Sequence, residues 1–145
     1  MKGFLRCVCM FAAMALSGRL HSVSASDEST DAATRAAQSW LVLVDSGKYA
    51  ESWDEAARVL KKQITKEEWV KKLNSFRFPL GKMQSRTLKS SVIYIKSLPG
   101  TPESQYVIVR YDANFERGES SVETVTPTKE QDGQWRISGY FIDRQ

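Results

Sequence analysis

The spacing of apolar residues changes once along this chain, close to Gly81. Before this glycine, apolar residues recur every three or four positions, which is the spacing of an amphipathic helix. After it, β-branched and aromatic residues alternate with polar ones, which is typical of half-buried strands. Helices first and strands second predict an α+β domain, in which the helices pack across one face of an antiparallel sheet.

Three helices are predicted in the first part. One begins at Asp31 and stops at Gly47, and the next covers residues 49–60. The third begins at Thr65, because Thr65 and Glu68 have the spacing of a capping box. Four strands of an antiparallel meander then follow, with Asp132-Gly133 predicting a tight hairpin between the last two. They are predicted at residues 86–97, 105–115, 120–126 and 134–142.

The first residues, 1–25, have the order of a signal peptide. Lys2 and Arg6 precede an apolar run at residues 7–16, and Val23-Ser24-Ala25 supplies small residues at the cleavage site. A helix that spans a bilayer needs about 20 apolar residues, so we expect no permanent membrane anchor. The expected product is periplasmic or secreted.

Cleavage would leave a flexible N-terminus at residues 26–32 and a single domain at residues 33–145. It would also remove Cys7, Cys9 and His21, which are the only cysteines and the only histidine of the chain. Without a thiol or an imidazole, cysteine nucleophiles, histidine acid/base catalysis and most transition-metal sites are excluded. We therefore expect no cofactor and no metal, and the composition favours a protein that is not an enzyme.

Charge is distributed unevenly. Three of the 21 Lys and Arg residues lie in the leader, and none of the 17 Asp and Glu residues does, so cleavage lowers the net charge from +4 to +1. This balance gives no support for a nucleic-acid partner, and we expect none, because the protein would be exported and no aromatic residues interleave the lysines on one face. Segment 58–96 nevertheless holds eleven basic residues and two acidic ones. It predicts either a patch for an anionic partner or an ordinary solvated helix face.

Four residues are candidates for a ligand-binding site. Parity along a tight hairpin places Val125 opposite Tyr140, and Glu123, Arg136 and Tyr140 on one face of the sheet, where they could line a cup for a small polar ligand. A plain cross-strand ion pair is the alternative, and a bulge at Pro127 would shift the register. Asp45 is the fourth. It ends the first helix against the helix dipole, so it needs a compensating partner, most simply a local hydrogen bond at the start of the next helix.

The last predicted strand has apolar residues on both of its faces. Trp135, Ile137 and Phe141 share one parity, and Tyr140 and Ile142 share the other. A strand with two apolar faces needs cover on both. This pattern predicts a homodimer that forms through the sheet, or else tolerated exposure of one tyrosine and one isoleucine.

Short motifs at tryptophans and turns carry a family resemblance across residues 33–142. The motifs lie at residues 37–40, 44–49, 52–53, 56–57, 69, 77, 79–81, 85–86, 98–100, 123–126, 132–136 and 139–140. Through them the chain resembles a family of small exported bacterial proteins known only as domain of unknown function 4019. The resemblance implies export and one domain, in an order of elements similar to cystatin-like or nuclear-transport-factor-two-like folds. It implies no activity.

Two functions therefore stay open. The first is a non-catalytic exported module that binds a partner or dimerises. The second is a small-ligand carrier or enzyme that uses carboxylate and tyrosine groups between helices and sheet.

Overall fold

The computed structural model describes residues 24–95, 105–118 and 120–144. Most of the predicted signal peptide, residues 1–23, lies outside the described residues. No helix in the described part is both long and apolar enough to cross a membrane. The elements are α1 (Ala25–Asp45), α2 (Tyr49–Asp54), α3 (Arg58–Gln63), α4 (Lys66–Phe76), a 3-10 helix (Phe78–Leu80), β1 (Met83–Ile95), β2 (Gln105–Phe115), β3 (Ser121–Lys129) and β4 (Trp135–Arg144).

The predicted α+β architecture is confirmed. The strands form one open antiparallel sheet in the order β1-β2-β3-β4. Side chains of β2 alternate between buried and exposed, and Val107, Val109 and Tyr111 share one core with Leu41 of α1. The helices thus cover one face, here called the inner face; the opposite one is the outer face.

The first helix begins six residues earlier than Asp31. Residues 26–32, expected to be a flexible N-terminus, form the first two turns of α1. Asp27 and Glu28 lie in the first turn, where negative charge is favourable at the positive end of the helix dipole.

The described residues contain four α-helices rather than three, because the second predicted helix is interrupted. Ala57 has an extended backbone between α2 and α3, and its N–H donates to the carbonyl of Ile137 in β4 over 2.9 Å. A long-range bond to the sheet thus replaces a helical one. The predicted capping box at the start of α4 is confirmed, since Thr65 and Glu68 each bond the backbone N–H of the other.

Aromatic rings fill the space between helices and sheet. The ring centre of Trp40 lies 6.2 Å from that of Trp69 and 5.4 Å from that of Tyr140. Phe76 lies 6.0 Å from Tyr140 on the other side. The interior at this place is a packed core.

A bulge in β4 changes which of its residues face the helices. Thr126 pairs with Gly139, but Pro127 pairs with Ile137, so Ser138 is an extra residue. Proline lacks the N–H that a regular ladder requires, which explains the bulge here. The predicted grouping of Trp135 and Ile137 with Phe141 was therefore wrong. The residues that pack on the inner core are Trp135, Ile137, Tyr140 and Ile142, whereas Phe141 is exposed.

Candidate functional site

Five polar side chains from five places in the sequence meet on the inner face of the sheet. Together they form what we call the ion cluster. Its members are Asp45 at the end of α1, Arg77 just after α4, Arg86 on β1, Glu123 on β3 and Tyr140 on β4.

Arg86 is the centre of the ion cluster. Its Nε lies 2.5 Å from Oε2 of Glu123, and its Nη2 lies 3.2 Å from Oε1 of the same residue. Its Nη1 lies 2.8 Å from Oδ2 of Asp45, and its Nη2 lies 3.0 Å from Oδ1. Burial lowers the pKa of Arg86, but the hydrogen bonds and charges of the two carboxylates raise it above the ordinary arginine value. Arg86 is therefore a permanent cation that joins two acids.

Arg77 is the second cation. Its Nη2 lies 3.0 Å from Oδ1 of Asp45, and its Nη1 donates to the carbonyl of Gly81 over 2.8 Å. Its guanidinium carbon lies 4.5 Å from the ring centre of Phe115, within the range of a cation–π contact. Two arginines thus compensate the charge of Asp45 against the dipole of α1. The sequence had suggested a local hydrogen bond at the start of α2. The compensating groups are instead two arginines that are distant in sequence.

Glu123 and Tyr140 form the buried end of the ion cluster. Glu123 is fully buried, and Oε1 accepts a hydrogen bond of 2.7 Å from the hydroxyl of Tyr140. Burial and the adjacent charge of Glu123 raise the pKa of Tyr140 well above its ordinary value. Tyr140 is therefore a neutral donor at physiological pH.

Tyr111 borders the ion cluster on β2. Tyr111 pairs with Glu123 of β3 in the sheet, and the guanidinium carbon of Arg86 lies 5.9 Å from the centre of the Tyr111 ring. Burial raises the pKa of this phenol as well. Within the described residues, the hydroxyl of Tyr111 and Nε of Arg77 have no hydrogen-bond partner.

The structure brings together three of the four predicted site residues: Asp45, Glu123 and Tyr140. The fourth, Arg136, lies elsewhere. Its Nη1 is 2.8 Å from Oε2 of Glu130, and its Nη2 is 2.9 Å from Oδ2 of Asp132. Val125 does lie opposite Tyr140, as predicted. The bulge then intervenes, so Arg136 and Tyr140 face opposite sides and the parity argument fails for Arg136.

Arg77 and Arg86 were missed as site residues. A signal for Arg77 existed, because Trp69, Leu73 and Arg77 are spaced by four and share the buried face of α4. Arg86 gave no such signal. Its neighbours Ser85 and Thr87 are polar, and only the pairing with Ala113 of β2 shows that it faces the helices.

An open groove of about 600 Å³ lies between α1, α2 and the β3–β4 hairpin, away from the ion cluster. Of the four predicted site residues, only Arg136 lines it. Its walls include Glu51, Glu55, Trp40 and Trp135. Among residues 24–95, 105–118 and 120–144, no group of three or more metal-ligating side chains is placed to hold an ion.

The basic segment 58–96 is divided among several contacts. Its bases that pair with carboxylates are Arg58, Lys66, Arg77, Arg86 and Lys89. Lys61 donates to the carbonyl of Asp54. A patch for an anionic partner stays a prediction, and it would rest on Lys62, Lys71, Lys72 and Lys82.

Comparison with known proteins identifies one family. Residues 36–140 match the model of a family described as protein of unknown function (DUF4019). No curated protein and no solved structure matches the chain. The likeness to cystatin-like or nuclear-transport-factor-two-like folds stays a prediction.

Proposed function

This chain belongs to the DUF4019 family, and we propose that it is a non-catalytic binding module that acts through its surface. Membership of this family implies no activity, so the support for this role comes from the described residues alone.

The observation that carries the proposal is the saturation of the two carboxylates of the ion cluster. Both oxygens of Asp45 and both oxygens of Glu123 accept hydrogen bonds from arginine or tyrosine. A catalytic acid or base must be within hydrogen-bond reach of the proton that it transfers. Here the oxygens of both carboxylates accept from donors of the same cluster, which favours a structural role for Asp45 and Glu123.

The packing of the interior supports the same conclusion. A small-ligand carrier needs a concave, largely preformed pocket. Trp40, Trp69, Phe76 and Tyr140 occupy the space next to the ion cluster. The groove of about 600 Å³ is lined by neither Glu123 nor Tyr140, although Trp40 borders both the groove and the packed interior.

Native mass spectrometry of the full chain, purified without denaturant, tests the proposal. We expect the mass of the polypeptide alone or of its oligomer. A small molecule that is bound to the wild type and lost from Tyr140→Phe would contradict the proposal. Tyr94→Phe is the matched control, because this tyrosine lies on the outer face and is half exposed.

Export is a further part of the proposal. It rests on the charge, the apolar run and the small residues of segment 1–25. Mass spectrometry of the N-terminus of the protein from its native host tests it. We expect a chain that begins near Ser26, and a chain that retains Met1 or Lys2 would contradict export by this leader.

A further inference from the structure

The outer face of the sheet exposes large apolar side chains. Val92 is 47% exposed, Tyr94 50% and Phe141 49%. The described residues contain six exposed large apolar side chains, and these three all lie on this one face. Large apolar side chains that share one exposed face mark an interaction site more often than scattered ones do.

The strand register places Val92 and Tyr94 on one edge strand of this face and Phe141 on the other. Val92 pairs with Ile108, which is partly buried on β2. Thr124 of β3 lies between Arg110 of β2 and Phe141 of β4. The exposed apolar side chains of this face therefore lie at its two edges, with Arg110 and Thr124 between them.

The same face carries opposite charges that have no partner among the described residues. Arg110 and Asp143 are both exposed, and neither forms an ion pair or a side-chain hydrogen bond there. The neighbouring Asp112 differs, since it pairs with Lys89 over 2.9 Å. One unpaired cation and one unpaired anion thus flank the apolar residues.

We propose that the outer face binds a second copy of this chain in a twofold-symmetric dimer. A twofold interface brings the same patch together from both subunits, so it must be complementary to itself. This face meets that requirement, because Arg110 on β2 of each subunit can pair with Asp143 on β4 of the other while the Phe141 side chains of both subunits are covered. The proposal deepens the binding role argued above and gives that role a defined surface.

The size of the face sets the expected affinity. The contact uses β2, β3 and β4, and three strands about 4.8 Å apart and about ten residues long cover roughly 500 Å². A standard interface buries about 800 Å² on each partner. The interface is therefore smaller than a standard one, and we expect the dimer to have a dissociation constant in roughly the micromolar range.

Charge reversal with sedimentation velocity tests the dimer. Arg110→Asp sets two carboxylates against each other at both contacts, and Asp143→Arg sets two guanidinium groups together. We expect each variant alone to have a dissociation constant raised about tenfold or more. An equimolar mixture of the two variants restores both opposite-charge contacts, so it should return to within about threefold of the wild-type value.

A second pair of variants tests the apolar contribution. Phe141→Ser should weaken the dimer, whereas Val42→Ser should leave it unchanged. Val42 is the matched control because it is 61% exposed on α1, away from the sheet. Circular dichroism checks that all variants remain folded.

Three results would overturn the proposal. They are a wild type that stays monomeric up to roughly 1 mM, a mixture that dissociates like its components, and a dimer unaffected by Phe141→Ser. A monomer would leave the non-catalytic assignment intact. A small molecule lost on Tyr140→Phe would contradict that assignment and leave the dimer standing.

Discussion

The hydroxyl of Tyr140 donates a hydrogen bond of 2.7 Å to Oε1 of Glu123, and both residues are buried. A carboxylate in the interior is stable only where donors replace its water shell. Tyr140 supplies one of these donors and Arg86 supplies the others. This contact joins β3 and β4 in the interior, and Arg86 extends it to Asp45 at the end of α1.

The variant Tyr140→Phe should lower the free energy of unfolding by about 1.5–3 kcal/mol, which is typical of a hydrogen bond to a charged group. The phenyl ring keeps the contacts with Trp40 and Phe76, so the loss reports the hydroxyl. Urea denaturation measures it. Tyr94→Phe, on the outer face, should change the value by less than about 0.5 kcal/mol. Equal effects of the two variants would show that the buried bond adds nothing.

Stability should fall at alkaline pH. The native pKa of Tyr140 is raised by burial and by Glu123, so the folded protein keeps a proton that the unfolded chain releases. This contribution is complete below about pH 10, the pKa of an ordinary tyrosine, and is lost as pH rises above it. Tyr140→Phe should reduce the slope by about 1.4 kcal/mol per pH unit above that point. Urea midpoints between about pH 8 and 11 measure both slopes.

Burial also raises the pKa of Tyr49 and Tyr111. Some alkaline destabilisation should therefore remain in Tyr140→Phe. An unchanged slope in that variant would contradict the assignment of Tyr140 as a buried neutral donor.

Removal of Arg86 should be severe. Arg86→Met leaves Glu123 without its cation in the interior and removes one of the two cations of Asp45. Loss of one partner from a buried ion pair destabilises by about 3–5 kcal/mol. Thermal or urea unfolding measures the loss. Arg144→Met is the control, because Arg144 is exposed and pairs with no described carboxylate; it should stay within about 0.5 kcal/mol of the wild type. A mild effect of Arg86→Met would mean that the ion cluster is not needed for folding.

Gly81 and Gly47 offer a matched pair. Both have a positive φ, of 76° and 72°, so alanine is strained at either position. A Cβ at Gly81 would also lie 2.7 Å from Oε2 and 3.1 Å from Cβ of Glu116, whereas nothing lies within 4 Å at Gly47. Gly81→Ala should therefore destabilise more than Gly47→Ala, whose cost should be about 1 kcal/mol. Equal midpoints in urea would show that Glu116 moves aside freely.

Local signals in the sequence predicted local structure well. The capping box of Thr65 and Glu68 involves residues three apart, and the structure contains it as predicted. The alternation at residues 105–115 predicted β2 with its observed bounds. Each pattern lies within a few consecutive residues, so it can be interpreted without knowledge of the rest of the fold.

The features that the sequence did not predict depend on partners that are distant in sequence. The break before α3 forms because Ala57 bonds Ile137, eighty positions further along. The position of Arg86 inside the fold depends on its register with β2, and that of Arg136 on one extra residue in β4. Neither periodicity nor residue type contains this information.

The extra residue Ser138 also determines where this chain tolerates a change of length. An insertion at the tip of the β3–β4 hairpin, near Asp132, only lengthens a turn. Without the bulge, regular alternation back from Tyr140 would place Arg136 against the helices in place of Trp135 and Ile137. Deletion of Ser138 would remove the bulge and keep the observed pairs, so that Trp135 and Ile137 would still face the helices. Natural variants of this domain should therefore differ in length at the hairpin tip or at Ser138, and should keep apolar residues at Trp135 and Ile137 against the helices.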